Sequence, residues 1–481
     1  MANKSVKKNY VYNLAYQILL IITPLITTPY ISRVLGADGV GIYSYTNSIV
    51  SYFILFAGLG STVFGQREVS YNQENKLKRS IVFWNVAIFR LITSTIILIA
   101  YVIFALNQTE YRTIYLILII NIINVFFDIT WFFQGLEEFG KIVGRNFVIR
   151  LLTIVFIFVF IRNKTDLSLY IFGLAGLTAA GSLSMWPYLR KYIFKPRKKD
   201  IHLTKDIGTI LTFFIPTIAI QIYTVLDKTM IGLITKSEFQ NGYYEQAQKI
   251  SAMALTFITS LGTVMIPKIG YYFAQGKKDE IKVYMYKSYR FVWMLSIPLC
   301  FGIIGIASNM VPWFFGSGYD EVIPLMRILS LLVIVIGIHN VTGMQYLIPT
   351  KRQNKYTLCI IIGTAANFVL NYFLIRIYAS IGAAIASVVA EGIVAIVELF
   401  IVRKEIKVFS VLKSSAKYLI SGVCMFAIIF AESFLLKSSI INSIIMIISG
   451  AFSYALFLII LRDEFFLDNV RNVVSIIIKR H

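Results

Sequence analysis

Residues 91–106, 114–127, 151–161 and 291–306 contain no charged side chain. A bilayer core of about 30 Å is crossed by about 20 mostly apolar helical residues, and runs of this kind recur along the whole chain. Lipid offers backbone polar groups no partners, so a spanning segment must be a helix or part of a closed barrel. These runs are too long and too continuously apolar for barrel strands, which alternate. The composition agrees: of 481 residues 57% are hydrophobic and 15% charged, against roughly 25% charged in an average soluble domain. The chain therefore reads as an all-α polytopic membrane protein.

Fourteen candidate spans can be drawn, at 10–30, 40–62, 81–105, 113–133, 147–161, 168–189, 207–234, 246–267, 289–308, 323–347, 357–375, 382–402, 415–436 and 440–461. The fifth is the shortest. Lys4, Lys7 and Lys8 precede an apolar stretch, as in a signal peptide. However, residues 10–30 are too long for one and lack a small-residue cleavage site, so they read as the first span. Of the 46 lysines and arginines, roughly 34 fall in loops and tails on the side of the N-terminus and 7 in the opposite loops. That asymmetry marks a cytoplasmic face. With an even span number it puts both termini in the cytoplasm. The net charge of +22 is then a topology signal and not a nucleic-acid footprint. Cys300, Cys359 and Cys424 sit inside apolar segments and form no paired framework.

A weak internal repeat supports the span count. Pro24, Gly41-Ile42-Tyr43 and Leu59-Gly60-Ser61-Thr62-Val63 have counterparts in Pro216, Gly242-Tyr243-Tyr244 and Leu261-Gly262-Thr263-Val264. The expected organisation is a first bundle of six spans in residues 1–200 and a second in 201–405. Residues 406–481 would add two spans and a cytoplasmic tail. Repeats that start on the same side are related by an axis along the membrane normal, a transporter architecture.

No loop is long enough for an extramembrane domain, so function must reside among the helices. Ionisable residues inside spans are costly and commonly face a cavity or a partner. Here they are Arg90, Asp128, Arg150, Asp227, Lys228, Lys249, Arg327, Glu391, Glu398 and Glu432. Lys249, Arg327 and Glu432 lie near the outer end, where snorkelling is the plainer reading. Asp227 and Lys228 are adjacent and point about 100° apart on a helix, so each needs its own partner. They read either as two structural ion pairs or as an acid for a coupling cation beside a base for an anionic substrate. Glu391 lies between Val388-Val389-Ala390 and Gly392-Ile393-Val394, which favours a polar interior. His339 could relay protons, although a hydrogen-bonded structural histidine is the plainer reading. Arg33, Arg90 and Lys228 could together attract phosphate, which guanidinium holds bidentately. Tyr43, Tyr45 and Tyr52 form an interfacial belt or a sugar-stacking surface. No phosphate-binding loop, zinc-ligand spacing or nucleophile elbow occurs in the sequence. No enzyme, metal or cofactor is expected.

The same residues resemble a known family. The opening Pro24…Pro29-Tyr30-Ile31-Ser32-Arg33-Val34-Leu35-Gly36-Ala37…Gly39-Val40-Gly41…Tyr43 is similar to that of Wzx-type polysaccharide flippases. These form a branch of the multidrug/oligosaccharidyl-lipid/polysaccharide exporter superfamily. Trp131-Phe132-Phe133-Gln134-Gly135, Leu226-Asp227-Lys228, Phe315-Gly316-Ser317-Gly318-Tyr319 and Asn367…Asn371…Gly382-Ala383-Ala384-Ile385-Ala386…Glu391 fit in the same order. The matches run from about residue 10 to 400; the last two spans match only in being apolar. The resemblance implies two pseudo-symmetric six-helix bundles in a V around a central cavity, plus two extra C-terminal helices. It implies flipping of an undecaprenyl-diphosphate-linked oligosaccharide between leaflets of the cytoplasmic membrane for capsule, exopolysaccharide or related glycan synthesis. Transport would proceed by alternating access driven by an H+ or Na+ gradient, with a polysaccharide polymerase as a partner. Arg33, Arg90, Lys228 and Glu391 are the substrate-binding candidates; Asp227 and Glu391 are the ion-coupling candidates.

Two relatives are weighed against this reading. A drug or cation antiporter of the same superfamily fits the patterns less well. A peptidoglycan-precursor flippase usually carries more arginine in its first span. A membrane-bound polymerase or glycosyltransferase generally needs a sizeable outer loop with catalytic residues, and the outer loops here are short.

Overall fold

A computed structural model describes residues 6–197, 200–201 and 206–478. Lys4 and most of the basic tract at 198–205 lie outside the described residues. All regular structure among the described residues is helical. Two compact units divide the chain, residues 1–242 and 243–481. Eleven helices among the described residues are long and apolar enough to cross a membrane. Outward-facing apolar rows, such as Ile96, Ile99 and Ile103 on one helix face, suit contact with lipid and not with water. This is a multi-pass membrane protein.

In the first unit the helices are α1 (Val6–Gly58), α2 (Ser61–Tyr71), α3 (Lys76–Asn107), α4 (Arg112–Phe127), α5 (Thr130–Gly135), α6 (Phe139–Phe160), α7 (Leu167–Leu183), α8 (Trp186–Tyr192) and α9 (Ile207–Thr235). α1 has 53 residues, which straight would be about 80 Å long. It is not straight. At Gly36 the backbone leaves the helix with φ 73° and ψ 173°, a conformation that favours glycine, so α1 is two helical segments. Lys164, just before α7, pairs with Asp38 at 3.4 Å and ties this turn down. α1 packs on α3, α4, α6 and α9, and α4 on α3 and α7.

At the other end of the unit an aromatic core forms. Phe83, Trp131, Phe132 and Phe133 are fully buried, and Phe83 stacks on Trp131 with centroids 5.7 Å apart. The motif Trp131-Phe132-Phe133-Gln134-Gly135 is thus α5, a short helix whose side chains fill the interior under α2 and α3.

The second unit holds α10 (Glu238–Ala274), α11 (Lys278–Phe314), α12 (Val322–Leu329), α13 (Leu331–His339), a π-helical segment (Asn340–Leu347), α14 (Gln353–Val402), α15 (Val408–Lys413), α16 (Ala416–Leu435), α17 (Ile440–Ile460) and α18 (Glu464–Ile478). The first five residues of α10 belong to the first unit. The 50-residue α14 also breaks once, at Ala379, with φ 48° and ψ −129°. The span expected at 323–347 is present as one continuous apolar stretch, Val322–Leu347, made of α12, α13 and the π-helical segment.

α16 and α17 pack on each other and on α11. Polar pins fix them at both ends of α11. Asn309 donates to the carbonyls of Leu436 and Lys437 at 3.1 and 3.0 Å and accepts from Ser443 at 2.7 Å. At the opposite end Arg290 and Tyr418 both reach the buried Asp463, at 3.0 and 2.9 Å.

Candidate functional site

The site starts from where α4 stops. Asp128 leaves helical geometry with ψ 102°, which frees its carbonyl from the helix ladder. Arg90, at mid-length of α3 and 3% exposed, donates from Nη1 to that carbonyl at 3.0 Å. The Asp128 carboxylate accepts from the Thr130 backbone N–H at 3.0 Å and from the Thr130 hydroxyl. The Thr130 hydroxyl oxygen also accepts from Arg145 Nη1 at 3.1 Å. Arg145 grips Asn146 Oδ1 through Nε and Nη2, at 3.0 and 2.7 Å. Arg90, Asp128, Thr130 and Arg145 thus form one hydrogen-bonded chain from α3 to α6. It fixes the guanidinium of Arg145 at the wall of a cavity.

That cavity has a volume of about 560 Å³ and lies entirely inside the first unit, between α4, α6 and α7. Its lining is polar for a membrane interior. Asn124, Asp128, Thr130, Gln134, Arg145, Asn146, Arg150, Thr153, Thr178 and Ser182 contribute, with Tyr43 from α1. Two arginines face one carboxylate, so the wall carries a net positive charge. Polar side chains are costly among apolar helices unless they meet a partner or a solvated space. Guanidinium groups bind phosphate oxygens bidentately, and the amides and hydroxyls suit sugar hydroxyls. A second cavity of about 300 Å³ in the same unit is lined by Tyr45, Glu110, Tyr111, Lys236 and Glu238. There the Tyr111 hydroxyl donates to the Glu238 carboxylate.

The sequence candidates are dispersed. Arg33 is exposed, three residues before the Gly36 break. Asp227 is buried and Lys228 half-buried on α9. The neighbouring Thr229 bonds to Ser48 at 2.9 Å and to Tyr52 at 3.2 Å. Glu391 is buried on α14, in the second unit. Arg90 touches the large cavity only through Asp128, and none of the five lines it.

Arg145, Asn146, Asn124 and Gln134 are the residues that sequence reasoning missed. α6 begins at Phe139, eight residues before the apolar run it was expected to match. Lys141, Arg145 and Asn146 looked like an inner loop because they are polar. The signal was present: Asn146, Arg150 and Thr153 recur at helical spacing, which puts them on one face.

The profile of the polysaccharide biosynthesis protein family matches residues 6–273, more than half of the chain and all of the large cavity. The chain belongs to the polysaccharide biosynthesis protein family. Within curated proteins it is 23% identical over 407 residues to an Escherichia coli K12 protein named for O-antigen transport, covering 83% of this chain and 97% of that one. It is 22% identical over 374 residues to Agl15 of Haloferax volcanii, named as a flippase of low-salt glycan biosynthesis, covering 76% of each. Among solved structures the fold is similar to the lipid II flippase MurJ in an inward closed conformation. There the TM-score is 0.74 at 16% identity, over 95% of this chain and 99% of that one. It is also similar to an inward-facing multidrug MATE transporter, at TM-score 0.63 and 14% identity over 84% and 99%.

Proposed function

We propose that this polysaccharide biosynthesis protein flips an undecaprenyl-diphosphate-linked oligosaccharide from the inner to the outer leaflet of the cytoplasmic membrane. The observation that carries this reading is the cavity in which Arg145 and Arg150 share a wall with Asp128, Asn124 and Gln134 inside an apolar helical unit. Diphosphate and sugar need charge-assisted and neutral hydrogen bonds respectively, and the wall offers both. The polyprenyl chain has no use for such a cavity and would stay in lipid. The names of the two curated relatives support the same substrate class.

The finer organisation belongs to the same proposal. α1 and α14 are each about twice the length a bilayer needs and each breaks once, so each makes two spans. With α9 the number of spans becomes fourteen, arranged as two six-span halves in 1–200 and 201–405 and two further spans in 406–481. Both termini are cytoplasmic. Transport is by alternating access coupled to H+ or Na+, with no catalytic step, and delivers its product to a polysaccharide polymerase. Arg33, Lys228 and Glu391 are further substrate contacts, and Asp227 and Glu391 are ion-coupling groups. Arg90 acts on the substrate through Asp128.

Deleting the gene and following the lipid-linked intermediates tests this reading. The expected result is loss of surface polymer, with undecaprenyl-linked repeat units accumulating on the inner leaflet. Unchanged glycan with altered sensitivity to toxic cations would overturn it in favour of an antiporter.

A further inference from the structure

The second unit buries a histidine–carboxylate pair that the cavity of the first unit does not use. His339 ends α13 and Glu398 lies near the end of α14. His339 Nδ1 stands 3.0 Å from Glu398 Oε1, and the two side chains are almost and completely inaccessible. Glu398 Oε2 has no hydrogen-bond partner among the described residues. Glu391, two turns earlier on α14 and also buried, is close enough for its charge to act on both. Two carboxylates and an imidazole thus share one apolar interior.

The described neighbours of the His339–Glu398 pair do not neutralise its charge. From α14 the Tyr356 ring stacks on His339 with centroids 5.7 Å apart, and Cys359 lies within electrostatic reach of Glu398. From α11 Tyr289 lies within electrostatic reach of Glu398 and hydrogen bonds to Thr342 at 2.8 Å. Both phenols and the thiol are uncharged at neutral pH, and no lysine or arginine hydrogen bonds to the pair among the described residues. A purely structural pair would be better served by one proton-independent partner, because an uncompensated charge in lipid is expensive.

The backbone next to the pair is irregular as well. The π-helical segment Asn340–Leu347 follows directly on His339. Within it Gly343 has no side chain where Glu398 Oε1 and the Tyr356 ring approach. π-helical segments inside α-helices are found frequently at functional sites.

We infer that the His339–Glu398 pair, with Glu391 beside it, is a proton-binding site that loads and releases one proton in each transport cycle. In the unloaded state neutral His339 donates its Nδ1–H to the Glu398 carboxylate, and the pair carries one negative charge. A proton from water adds to His339 Nε2 and leaves an imidazolium–carboxylate pair with no net charge. Release reverses the step. The inference rests on the flippase reading only for what the proton drives.

Two experiments test it on the full-length protein. His339 is one of three histidines, with His202 and His481. After His202→Asn and His481→Asn, 13C-imidazole NMR of the detergent-solubilised protein reads His339 alone and leaves the site intact. The expected result is a titration between about pH 5 and pH 8 that is displaced in Glu398→Gln. A single protonation state across that range overturns the inference.

The second experiment uses phosphatidylethanolamine–phosphatidylglycerol vesicles carrying undecaprenyl-diphosphate-linked oligosaccharide. An imposed pH gradient should accelerate its flipping roughly tenfold, and Glu398→Gln and His339→Gln should lose that acceleration. Equal acceleration in the variants overturns the inference. Wild-type vesicles that move no lipid-linked glycan would refute the proposed function instead, and the imidazole titration would then decide the proton site by itself.

Discussion

Gly41 and Gly242 pack backbone against backbone in a reciprocal way. A β-carbon on Gly41 would run into the carbonyl of Glu238, four residues before Gly242; one on Gly242 would run into the carbonyl of Ala37, four residues before Gly41. Each glycine thus meets the carbonyl one helical turn before the other, so the contact is a close approach of two small-residue helix faces. Without a hydrophobic force between helices in lipid, such close approach is a main source of association.

Leucine at Gly41 or at Gly242 should therefore destabilise the protein by similar amounts. Forcing bulk into a tight contact costs about 1–3 kcal/mol, read as a lowered melting temperature of the detergent-solubilised protein. A loss confined to one of the two would contradict the reciprocal geometry.

The cavity wall makes a different prediction. Arg145→Ala and Arg150→Ala should each weaken glycan export by roughly ten- to a hundredfold, the value of about 1.5–3 kcal/mol for a charge-assisted hydrogen bond. Membrane abundance should stay near normal, since both side chains are half-buried at a cavity. Quantitative immunoblots beside a surface-glycan assay separate the two effects.

Arg90 should behave otherwise. Its removal leaves the Asp128 carbonyl without this donor and a polar gap in a buried position, so Arg90→Ala should lower abundance together with export. A variant present at full level yet inactive would instead make Arg90 a direct substrate contact.

Orientation can be read with impermeant thiol reagents after replacing Cys300, Cys359 and Cys424. Cysteine at Lys278, the first residue of α11, should react only from the cytoplasm. Cysteine at Lys164, whose side chain is 66% exposed, should react from outside. The reverse pattern would invert the topology.

Glu405 lies between α14 and α15, outside the spans. Burial pushes the Glu405 carboxyl up, but hydrogen bonds from Tyr346 and from Arg352 at 2.8 Å outweigh it and hold the carboxyl below its usual value. A depressed folded value contributes stability above the unfolded carboxyl range, about 4.3, that is lost as pH falls through the folded value. Glu405→Gln should therefore melt lower than the native protein at neutral pH, with the gap closing in acid. A gap that persists unchanged in acid would refute this.

The all-helical membrane architecture and the family were legible because both are written in runs of residues: apolar stretches and ordered motifs such as Trp131-Phe132-Phe133. The cavity was not. Arg145 and Asn146 matter because α6 starts early and turns one polar face towards Thr130, and hydropathy places them in a loop. His339 and Glu398 were each visible as isolated polar residues in apolar segments. Their pairing spans 59 positions, and no local pattern encodes a contact between two helices so far apart in sequence.

The pins between α11 and the last two long helices have a practical meaning. Arg290 and Asn309 are 19 residues apart, about 28 Å of helix, so α16 and α17 are clamped to α11 across a full bilayer's depth. A spectroscopic label on lipid-facing Phe434 or Leu435, at 75% and 82% exposure, would ride rigidly with α11 while touching neither cavity nor proton pair. The hairpin is thus a built-in handle on α11, and a probe placed there reports any movement of that helix without altering the residues of the cavities or of the His339–Glu398 pair.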